Sequence, residues 1–540
     1  MKVLLINSNR FKQPFPVMPA GLCWVASALE GAGHEVTLLD LTFSAEDAAD
    51  PVAKIRREIA ECLARVRPGV IGIGIRNLDN STGFNTRFLL GEVRLEVTDP
   101  VKELFDGPIV IGGSAVGING SEMLEYLDMK YAIRGDGEEA MITLCARLEN
   151  GQGLDGMPGL TVRSGGKILH DILTENSIPL DDLPPPRPHR FLDMEAYKRF
   201  DAPLTIQTKR GCALKCTYCI YNVIEGKTYR YRDPQLVADE IEMLYRETGI
   251  DRFEFTDSTF NVPLKHSKEV LRALIAKGLK LRLSAMGLNP RSVDEEFVDL
   301  LVRAGFMSVD LGVEAGNNTT LRTLGKNFNK THVLQAGKYL HKAKIPITWH
   351  LLLGAPEETP ETLAETFETL DRAVSPWDFV NIGVGMRVYK DSPMAQSLAH
   401  GGDPSVLSKD GFLTPVNYVP EGIDLDTIKI LTRQAALSRP NYFLYDEDED
   451  KVTQSALIRG TKFLSLFAPR QPVWRFYILG GMMANLSGLG LLRRLRHAYQ
   501  HRHVLRRVAQ GRRAVREQAM MGGAAAEWSA NRAVKAPGAR

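Results

Sequence analysis

The chain has 540 residues, enough for two to four domains with separate hydrophobic cores, and its formal net charge at pH 7 is +2. Apolar residues make up 44% and charged residues 24% of the chain, which is ordinary for a soluble protein. No charged-then-apolar segment precedes the strand-like first residues, and six scattered cysteines do not suggest disulfides, so we expect a cytoplasmic protein rather than an exported one.

Residues 1–150 alternate strand-like and helix-like runs. The predicted strands are 2–7, 34–41, 70–75, 108–111 and 131–133, and the predicted helices are 19–31, 51–66, 101–105, 121–127 and 138–148. This alternation predicts an α/β domain with a doubly wound parallel sheet of the flavodoxin or Rossmann type, which binds ligands at the carboxyl ends of its strands. The ligand site is therefore expected in the loops 7–10, 76–80, 112–114 and 135–138.

Residues 151–195 form a predicted linker, in which a polar hairpin-like stretch is followed by the stiff proline-rich run 181–188. The alternation restarts near residue 196 and continues to about residue 400. Its predicted strands are 204–208, 252–256, 279–286, 308–314, 346–353 and 379–384. Six β/α units predict a partial (β/α)6 barrel, with every motif at the carboxyl end of a strand, where such barrels carry their active sites.

The first of these barrel strands leads into a loop with Cys212, Cys216 and Cys219. Three thiolates at this spacing can bind three irons of a [4Fe–4S] cluster and leave the fourth iron open to a substrate. A structural zinc site would need a fourth ligand from a nearby Cys or His pair, which the sequence does not provide. A disulfide is not expected in this chain, so the spacing favours a cluster.

The C-x3-C-x2-C pattern, with Tyr218 before its last cysteine, resembles the signature of the radical S-adenosylmethionine (SAM) superfamily. The resemblance implies that the open iron chelates SAM and that motifs after later strands hold the rest of it. The implied SAM ligands are Asp257 and Ser258 for the amino group, Glu314 for the ribose, and the loop from Gly354 to Pro356 for the adenine. Taken singly, each acidic residue could equally be a solvated loop residue.

The first domain carries Pro19-Ala20-Gly21-Leu22, a Gly-Gly-Ser at 112–114 and an Arg-Gly-Asp-Gly-Glu at 134–138. Together they resemble the cobalamin-binding domain that precedes some radical SAM enzymes, and glycines there would let the backbone approach a large flat ligand closely. The implied cobalamin-binding residues are Asn9, Arg76, Asn77, Gly112, Gly113, Ser114, Gly135 and Glu138. A plain flavodoxin-like domain with another ligand is the alternative.

The Asp-x-His-x-x-Gly motif that supplies a histidine to cobalt in many cobalamin proteins is absent from the sequence. The resemblance therefore implies that the lower face of cobalt lacks a histidine ligand. Asn9, Arg10, Arg76 or Asn77 are the candidates to lie there instead.

Residues 401–519 are predicted to form a mainly helical C-terminal region, and 520–540 a disordered tail. The stretch 476–492 is uncharged, and the last fifty residues carry twelve Lys or Arg against two acids. Residues 476–507 are thus a candidate for peripheral contact with an anionic membrane, although we favour a helical cap over the barrel. Nucleic acid is not an expected partner.

The resemblance implies a cobalamin-dependent radical SAM methyltransferase. In such an enzyme a 5′-deoxyadenosyl radical abstracts hydrogen from an unactivated carbon and methylcobalamin donates the methyl group. The expected partners are a small-molecule, lipid or peptide substrate and an electron donor such as flavodoxin or ferredoxin. The alternatives are a radical SAM cyclase or rearrangement enzyme of this architecture, a methylthiotransferase, and a cobalamin or redox sensor without enzymatic activity.

Overall fold

A computed structural model describes residues 1–10, 16–45, 48–80, 86–170, 178–400, 410–411, 413–437, 439 and 441–444. The stretch 476–507, for which membrane contact was considered, and the predicted tail 520–540 lie outside the described residues. Of the predicted helical region 401–519, the described residues include one helix, Leu425–Leu437. No helix within these described ranges is long and apolar enough to cross a membrane.

The first domain is built on a seven-stranded sheet with the strand order β2-β1-β3-β4-β5-β6-β7. Its strands are β1 Lys2–Asn7, β2 Glu35–Asp40, β3 Val70–Gly74, β4 Ile109–Gly112, β5 Tyr131–Ile133, β6 Leu160–Ser164 and β7 Lys167–His170. Its helices are α1 Ala20–Gly31, α2 Pro51–Val66, α3 Leu90–Val93, α4 Asp99–Leu104, α5 Ser114–Tyr126 and α6 Gly137–Glu149. Strands β1 to β5 pair in parallel, which confirms the predicted doubly wound sheet.

Local sequence explains these elements. Every residue of β3 is buried, as expected for a central parallel strand that helices cover on both faces. Helix α2 begins where the Asp50 side chain accepts a hydrogen bond from the Ala53 amide and Pro51 fills the first turn. Arg67 ends this helix in a left-handed conformation.

Two structural features differ from the prediction. Helix α5 starts at Ser114 instead of residue 121, because Gly117 and Gly120 obscure its helical pattern. The hairpin of β6 and β7, which the sequence placed in the linker, pairs antiparallel with β5 and extends the first sheet to His170. The predicted boundary at residue 150 therefore falls within this sheet.

The second domain is a partial barrel of parallel strands. The segment from α7 onward contains α7 Pro188–Phe191, α8 Met194–Arg199, β8 Leu204–Ile206, β9 Lys209–Arg210, α9 Tyr221–Ile224, β10 Arg230–Tyr231, α10 Pro234–Thr248, β11 Arg252–Phe255, α11 Leu264–Ala276, β12 Arg282–Ala285, α12 Glu295–Ala304, β13 Val309–Glu314, α13 Asn318–Thr323, α14 Lys330–Lys342, β14 Ile347–Leu353, α15 Pro360–Ala373, β15 Phe379–Val384, β16 Met386–Arg387, α16 Pro393–His400, β17 Asn417–Tyr418, α17 Leu425–Leu437 and β18 Tyr442–Leu444.

The barrel strands run in the order β8-β11-β12 and then β13-β14-β15-β18, and parallel bridges from Leu283 to Phe306 and from Leu288 to Leu311 join the two sheets. All six predicted strands are present, which confirms the partial barrel. The seventh strand, β18, was not predicted, because three residues after a long unassigned segment carry no periodic signal.

The two domains meet through the carboxyl ends of their strands. Asp79, in the loop after β3, forms a buried ion pair with Arg387, which follows β15, at 2.9 Å. Elsewhere the Tyr197 hydroxyl donates a hydrogen bond of 2.7 Å to Asp40 at the end of β2. The expected ligand-binding edge of the first domain therefore lies against the mouth of the barrel.

Candidate functional site: the mouth of the barrel and the facing pocket

The three motif cysteines lie in the loop 211–220, here called the cysteine loop. Burial, with smaller contributions from the charges of Cys216 and Cys212, raises the pKa of Cys219 to about 12, so the three sulfurs lie within electrostatic reach of one another. In the described part of the chain, no three His, Cys, Asp or Glu side chains lie close enough to share one metal ion. A [4Fe–4S] cluster makes a different demand, because each cysteine binds its own iron. A set of three thiols in one loop fits that demand.

Backbone contacts anchor the cysteine loop at both of its ends. Gly211 has a φ of +92°, and a Cβ there would lie 2.0 Å from the Thr228 carbonyl oxygen, so only glycine can occupy this position. Further along, the Thr217 amide donates a hydrogen bond of 3.0 Å to the Leu324 carbonyl at the end of α13. The loop is therefore tied to the segment that follows the fourth barrel strand.

Glu314, the predicted ribose ligand, ends β13 and is connected to the cysteine loop. Its carboxylate accepts a hydrogen bond of 2.8 Å from the Tyr218 hydroxyl and pairs with Lys326 at 2.8 Å. Burial opposes the charge of Lys326, but Glu314 raises its pKa well above the usual value, and the same ammonium group hydrogen-bonds to Cys216. Glu314 has a φ of +59°, a costly conformation that the surrounding contacts must hold. Sequence reasoning missed Lys326, which no motif marked.

Asp257, predicted to bind the SAM amino group, is instead occupied within the chain. It is 2% exposed and accepts hydrogen bonds from the Thr208 amide at 2.7 Å, the Thr208 hydroxyl at 2.6 Å and the Lys209 ammonium at 3.1 Å. Both carboxylate oxygens are used, so Asp257 holds the start of the cysteine loop in place rather than facing a ligand. Ser258 donates a hydrogen bond of 3.1 Å to the carbonyl of Gly211, the first residue of that loop.

The predicted adenine loop is organised by a buried acid that sequence reasoning missed. Glu358 is fully buried, and its carboxylate accepts hydrogen bonds from the amides of Gly354 and Ala355. Gly354 has a φ of +100°, and the Pro356 carbonyl accepts a hydrogen bond of 3.0 Å from Thr323. These bonds fix the backbone of the loop. Its remaining backbone polar groups would then be free to hydrogen-bond to the adenine of SAM.

Glu358 makes stability depend on pH. Burial raises its pKa from 4.5 to about 7, so the unfolded chain releases this proton at lower pH than the folded protein does. Stability should therefore fall as the pH rises through that window, and Glu358→Gln should remove up to about 3 kcal/mol of the fall. Denaturant unfolding at about pH 5 and about pH 7 measures this, with the exposed Glu368→Gln as the control. An equal pH slope in both variants would contradict the assignment.

In the first domain, a pocket opens at the carboxyl ends of β1 and β3. Asn9 and Arg10 line one side of it, and Arg76 and Asn77 line the other. Burial lowers the pKa of the Arg76 guanidinium. Described residues thus bring together four of the polar side chains that the sequence assigned to a cobalamin site.

A glycine cradle adjoins this pocket. Gly113 has a φ of +104°, and a Cβ there would lie 2.6 Å from the Ile75 carbonyl oxygen, so a side chain cannot fit. Gly112 is under no such constraint, because a Cβ there would meet nothing closer than 3.9 Å. Ser114 donates a hydrogen bond of 2.7 Å to the Arg76 carbonyl. This bare backbone beside the pocket fits a ligand that must approach closely.

Glu138 does not line the pocket, contrary to the prediction. It is 3% exposed and forms an ion pair of 2.7 Å with Arg210 of the barrel domain, which also pairs with Asp136 at 2.8 Å. Asp136 in turn pairs with Arg230 at 2.7 Å. Gly135, with a φ of +96°, makes the turn that directs these acids toward the barrel. The Arg-Gly-Asp-Gly-Glu run at 134–138 therefore joins the two domains.

Two family models match the two domains just described. The B12 binding domain matches residues 10–144, which include the pocket, and the Radical SAM superfamily matches residues 206–370, which include the cysteine loop. The chain belongs to the cobalamin-binding radical SAM enzymes. As a member of this family the enzyme uses a [4Fe–4S] cluster, SAM and cobalamin.

Named relatives are similar to the enzyme over most of its length. A tryptophan 2-C-methyltransferase of Streptomyces laurentii is 26% identical over 464 residues, with 74% of each chain covered. An anaerobic magnesium-protoporphyrin IX monomethyl ester cyclase of Rubrivivax gelatinosus is 25% identical over 513 residues, covering 89% of this chain and 84% of the relative. TsrM from Kitasatospora setae, solved with cobalamin and a [4Fe-4S] cluster bound, superimposes with a TM-score of 0.67 at 26% identity, covering 78% of this chain and 82% of TsrM.

Proposed function

We propose that the enzyme methylates an unactivated carbon of a small molecule. The observation that carries this proposal is the convergence of two candidate cofactor sites on one space. Arg76 lines the pocket of the first domain and is within electrostatic range of Glu254 on β11 and of Tyr221, which follows the cysteine loop. A substrate between the two domains could thus meet both cofactors.

When bound, the cluster, SAM and cobalamin supply the radical and methyl-transfer chemistry. The chain would supply the ligands and the enclosure. Cys212, Cys216 and Cys219 would hold the cluster, Glu314 the ribose of SAM, and the loop at Gly354 its adenine. Asn9, Arg76 and Asn77, with the backbone at Gly113, would hold the corrinoid ring. The buried ion pairs between the domains would exclude water from the space between them.

The proposal is tested with protein expressed with iron, sulfide and hydroxocobalamin and purified without oxygen. We expect about four irons and about one cobalt per chain, and 5′-deoxyadenosine when SAM and a reductant are added. With a methyl-accepting small molecule also present, we expect the methyl group of labelled SAM to be transferred to it. Iron without cobalt would overturn cobalamin-dependent methylation and leave a radical SAM enzyme of another kind.

A cyclase or rearrangement reaction is a second candidate, because the cyclase of Rubrivivax gelatinosus is similar over 89% of this chain. Mass spectrometry of the product distinguishes the two, since methylation adds a methyl group from labelled SAM and cyclisation does not.

We further propose that flavodoxin or ferredoxin supplies the electron and that the enzyme works in the reducing cytoplasm. The substrate could instead be a lipid or a peptide, which the same product analysis would reveal. Peripheral contact with a membrane is a separate proposal that a vesicle-binding assay would test.

Glu314→Gln tests the SAM site. A carboxylate that accepts two ribose hydroxyls forms charge-assisted hydrogen bonds, so we expect SAM affinity to fall about tenfold to about a hundredfold. Equilibrium dialysis with labelled SAM measures the affinity, and iron content checks that the cluster remains. Glu365→Gln is the matched control, because Glu365 is 42% exposed and pairs with Lys330 on the surface. Unchanged SAM affinity in Glu314→Gln would remove Glu314 from the site.

A further inference from the structure

The inner faces of the barrel strands carry polar side chains that the cofactor sites do not use. Along β11, β13, β14 and β15, core residues alternate with partly exposed ones. The partly exposed set includes Glu254, Asp310, His350 and Asn381. Because their strand neighbours pack into the hydrophobic core beneath the helices, these four side chains point into the lumen.

Three of these residues form a connected group. His350 Nε2 lies 3.1 Å from the Asp310 carboxylate, and the Asn381 amide lies 3.3 Å from His350 Nδ1. The side chains of His350 and Asp310 remain 38% and 31% exposed, although they lie on the inside of the barrel. That exposure is therefore to open space in the lumen. Burial opposes the imidazolium, but the hydrogen bond and the charge of Asp310 raise the pKa of His350, so Asp310 already has a partner in His350.

Glu254 is the lumen residue whose charge no contacting side chain balances within the described ranges. Within the described ranges it forms no ion pair, and the hydrogen bond that it accepts from the Ser284 hydroxyl is long, at 3.4 Å. Burial, together with the charge of Asp310, raises the pKa of Glu254 to about 7. Arg252 and Arg76 lower this pKa electrostatically, but neither forms an ion pair with Glu254 in the described part of the chain. A positively charged ligand in contact with this enclosed carboxylate would therefore recover free energy.

Glu254 lies close to both candidate cofactor sites. Arg76, which lines the pocket of the first domain, interacts electrostatically with both Glu254 and Tyr221, the residue that follows the cysteine loop. A ligand beside Glu254 would therefore lie between the pocket and the cysteine loop, where a substrate must be.

We propose that Glu254, Asp310 and His350 form the substrate-recognition site of the enzyme and that it takes a small molecule with a protonated amine or another cationic nitrogen. This inference rests on the proposed function. Glu254 would bind the cation directly, while the Asp310–His350 pair and Asn381 would accept or donate hydrogen bonds to neighbouring polar groups. The recognition would thus be electrostatic at one end of the substrate.

The test uses the holoenzyme, loaded without oxygen with cluster, hydroxocobalamin and SAM. The probes are matched sets in which one scaffold carries an amine, an alcohol or a carboxylic acid: tryptamine, tryptophol and indole-3-acetate; phenethylamine, phenylethanol and phenylacetate; and the n-hexyl series. Saturation-transfer NMR at equal concentration measures binding. We expect at least one amine to bind about tenfold more tightly than its alcohol, and no acid to bind as well as its amine.

Variants test whether Glu254 carries this preference. Glu254→Gln keeps the shape of the side chain and should abolish the preference for amine over alcohol, and Asp310→Asn should weaken it. Glu269→Gln is the matched control, because Glu269 is 43% exposed and 3.9 Å from its nearest partner, Lys265. Equal binding of amines and alcohols, binding of no amine, or a preference that persists in Glu254→Gln would each overturn the inference.

Iron, cobalt and SAM affinity, measured on the same samples, separate this inference from the proposed function. If cobalt or SAM fails to bind, the proposed function fails. If both bind normally and the amine preference is absent, the methyltransferase proposal stands and only the substrate class is wrong.

Discussion

Cys212→Ala is expected to lose the iron–sulfur cluster and all turnover. With one of three thiolates removed, a second iron of the cluster has no protein ligand, and the open iron that would chelate SAM is no longer unique. Iron content should fall from about four per chain to near zero, and the broad visible absorption of the cluster should disappear. The 5′-deoxyadenosine produced from SAM under reducing conditions should fall to the level of a reaction without enzyme.

Cys62→Ala is the control for this variant. Cys62 is buried in α2 of the first domain, so its removal also deletes a thiol from a core but leaves the cysteine loop intact. It should keep its iron and its turnover and lose only the small stability that a missing sulfur costs. A Cys212→Ala protein with full iron content, or a Cys62→Ala protein without iron, would contradict the cluster assignment.

Arg210→Met is expected to destabilise the enzyme by about 3 to about 5 kcal/mol, because it leaves buried Glu138 without its ion-pair partner and Asp136 with Arg230 alone. Arg210 pairs with Asp136 and Glu138, and its side chain is only 7% exposed. Its guanidinium also lies over the ring of Trp24 at 5.2 Å. Since the two acids come from the first domain and Arg210 from the barrel, the domains should also separate more readily.

Unfolding in guanidinium chloride, followed by circular dichroism, measures the loss of stability. Limited proteolysis between the domains measures their separation. Arg246→Met is the matched control, because Arg246 is 71% exposed and its pair with Glu242 spans one turn of α10. That surface pair should contribute no more than about 0.5 kcal/mol. Equal stability of the two variants would show that water already solvates the acids at the domain interface.

The sequence by itself determined the architecture and the chemistry of the cysteine loop. Alternating strand and helix patterns predicted both domains because hydrophobic periodicity is a local property, readable without knowing what packs on what. The spacing of Cys212, Cys216 and Cys219 is equally local, since one short loop carries all three proposed ligands. The sequence also predicted that Gly113 lies where the backbone approaches a ligand, and in the structure only glycine fits the backbone at that position.

Only the tertiary structure decided which partners the individual acids have. Asp257 and Glu138 each follow a strand in a motif, yet one is enclosed by Thr208 and Lys209, and the other is paired with Arg210 across the domains. Nothing near Glu314 in the chain indicates that Lys326 neutralises it. The role of a carboxylate depends on the charges that distant segments bring to it, and burial makes those charges decisive.

The lumen illustrates the same limit. Glu254, Asp310 and His350 lie on three different strands, and each is a polar residue with a buried apolar neighbour on either side. In the sequence such a residue is indistinguishable from a core residue with a satisfied polar group. Closure of the strands into a barrel turns all three toward one enclosed space, where charges interact more strongly than they do at the surface.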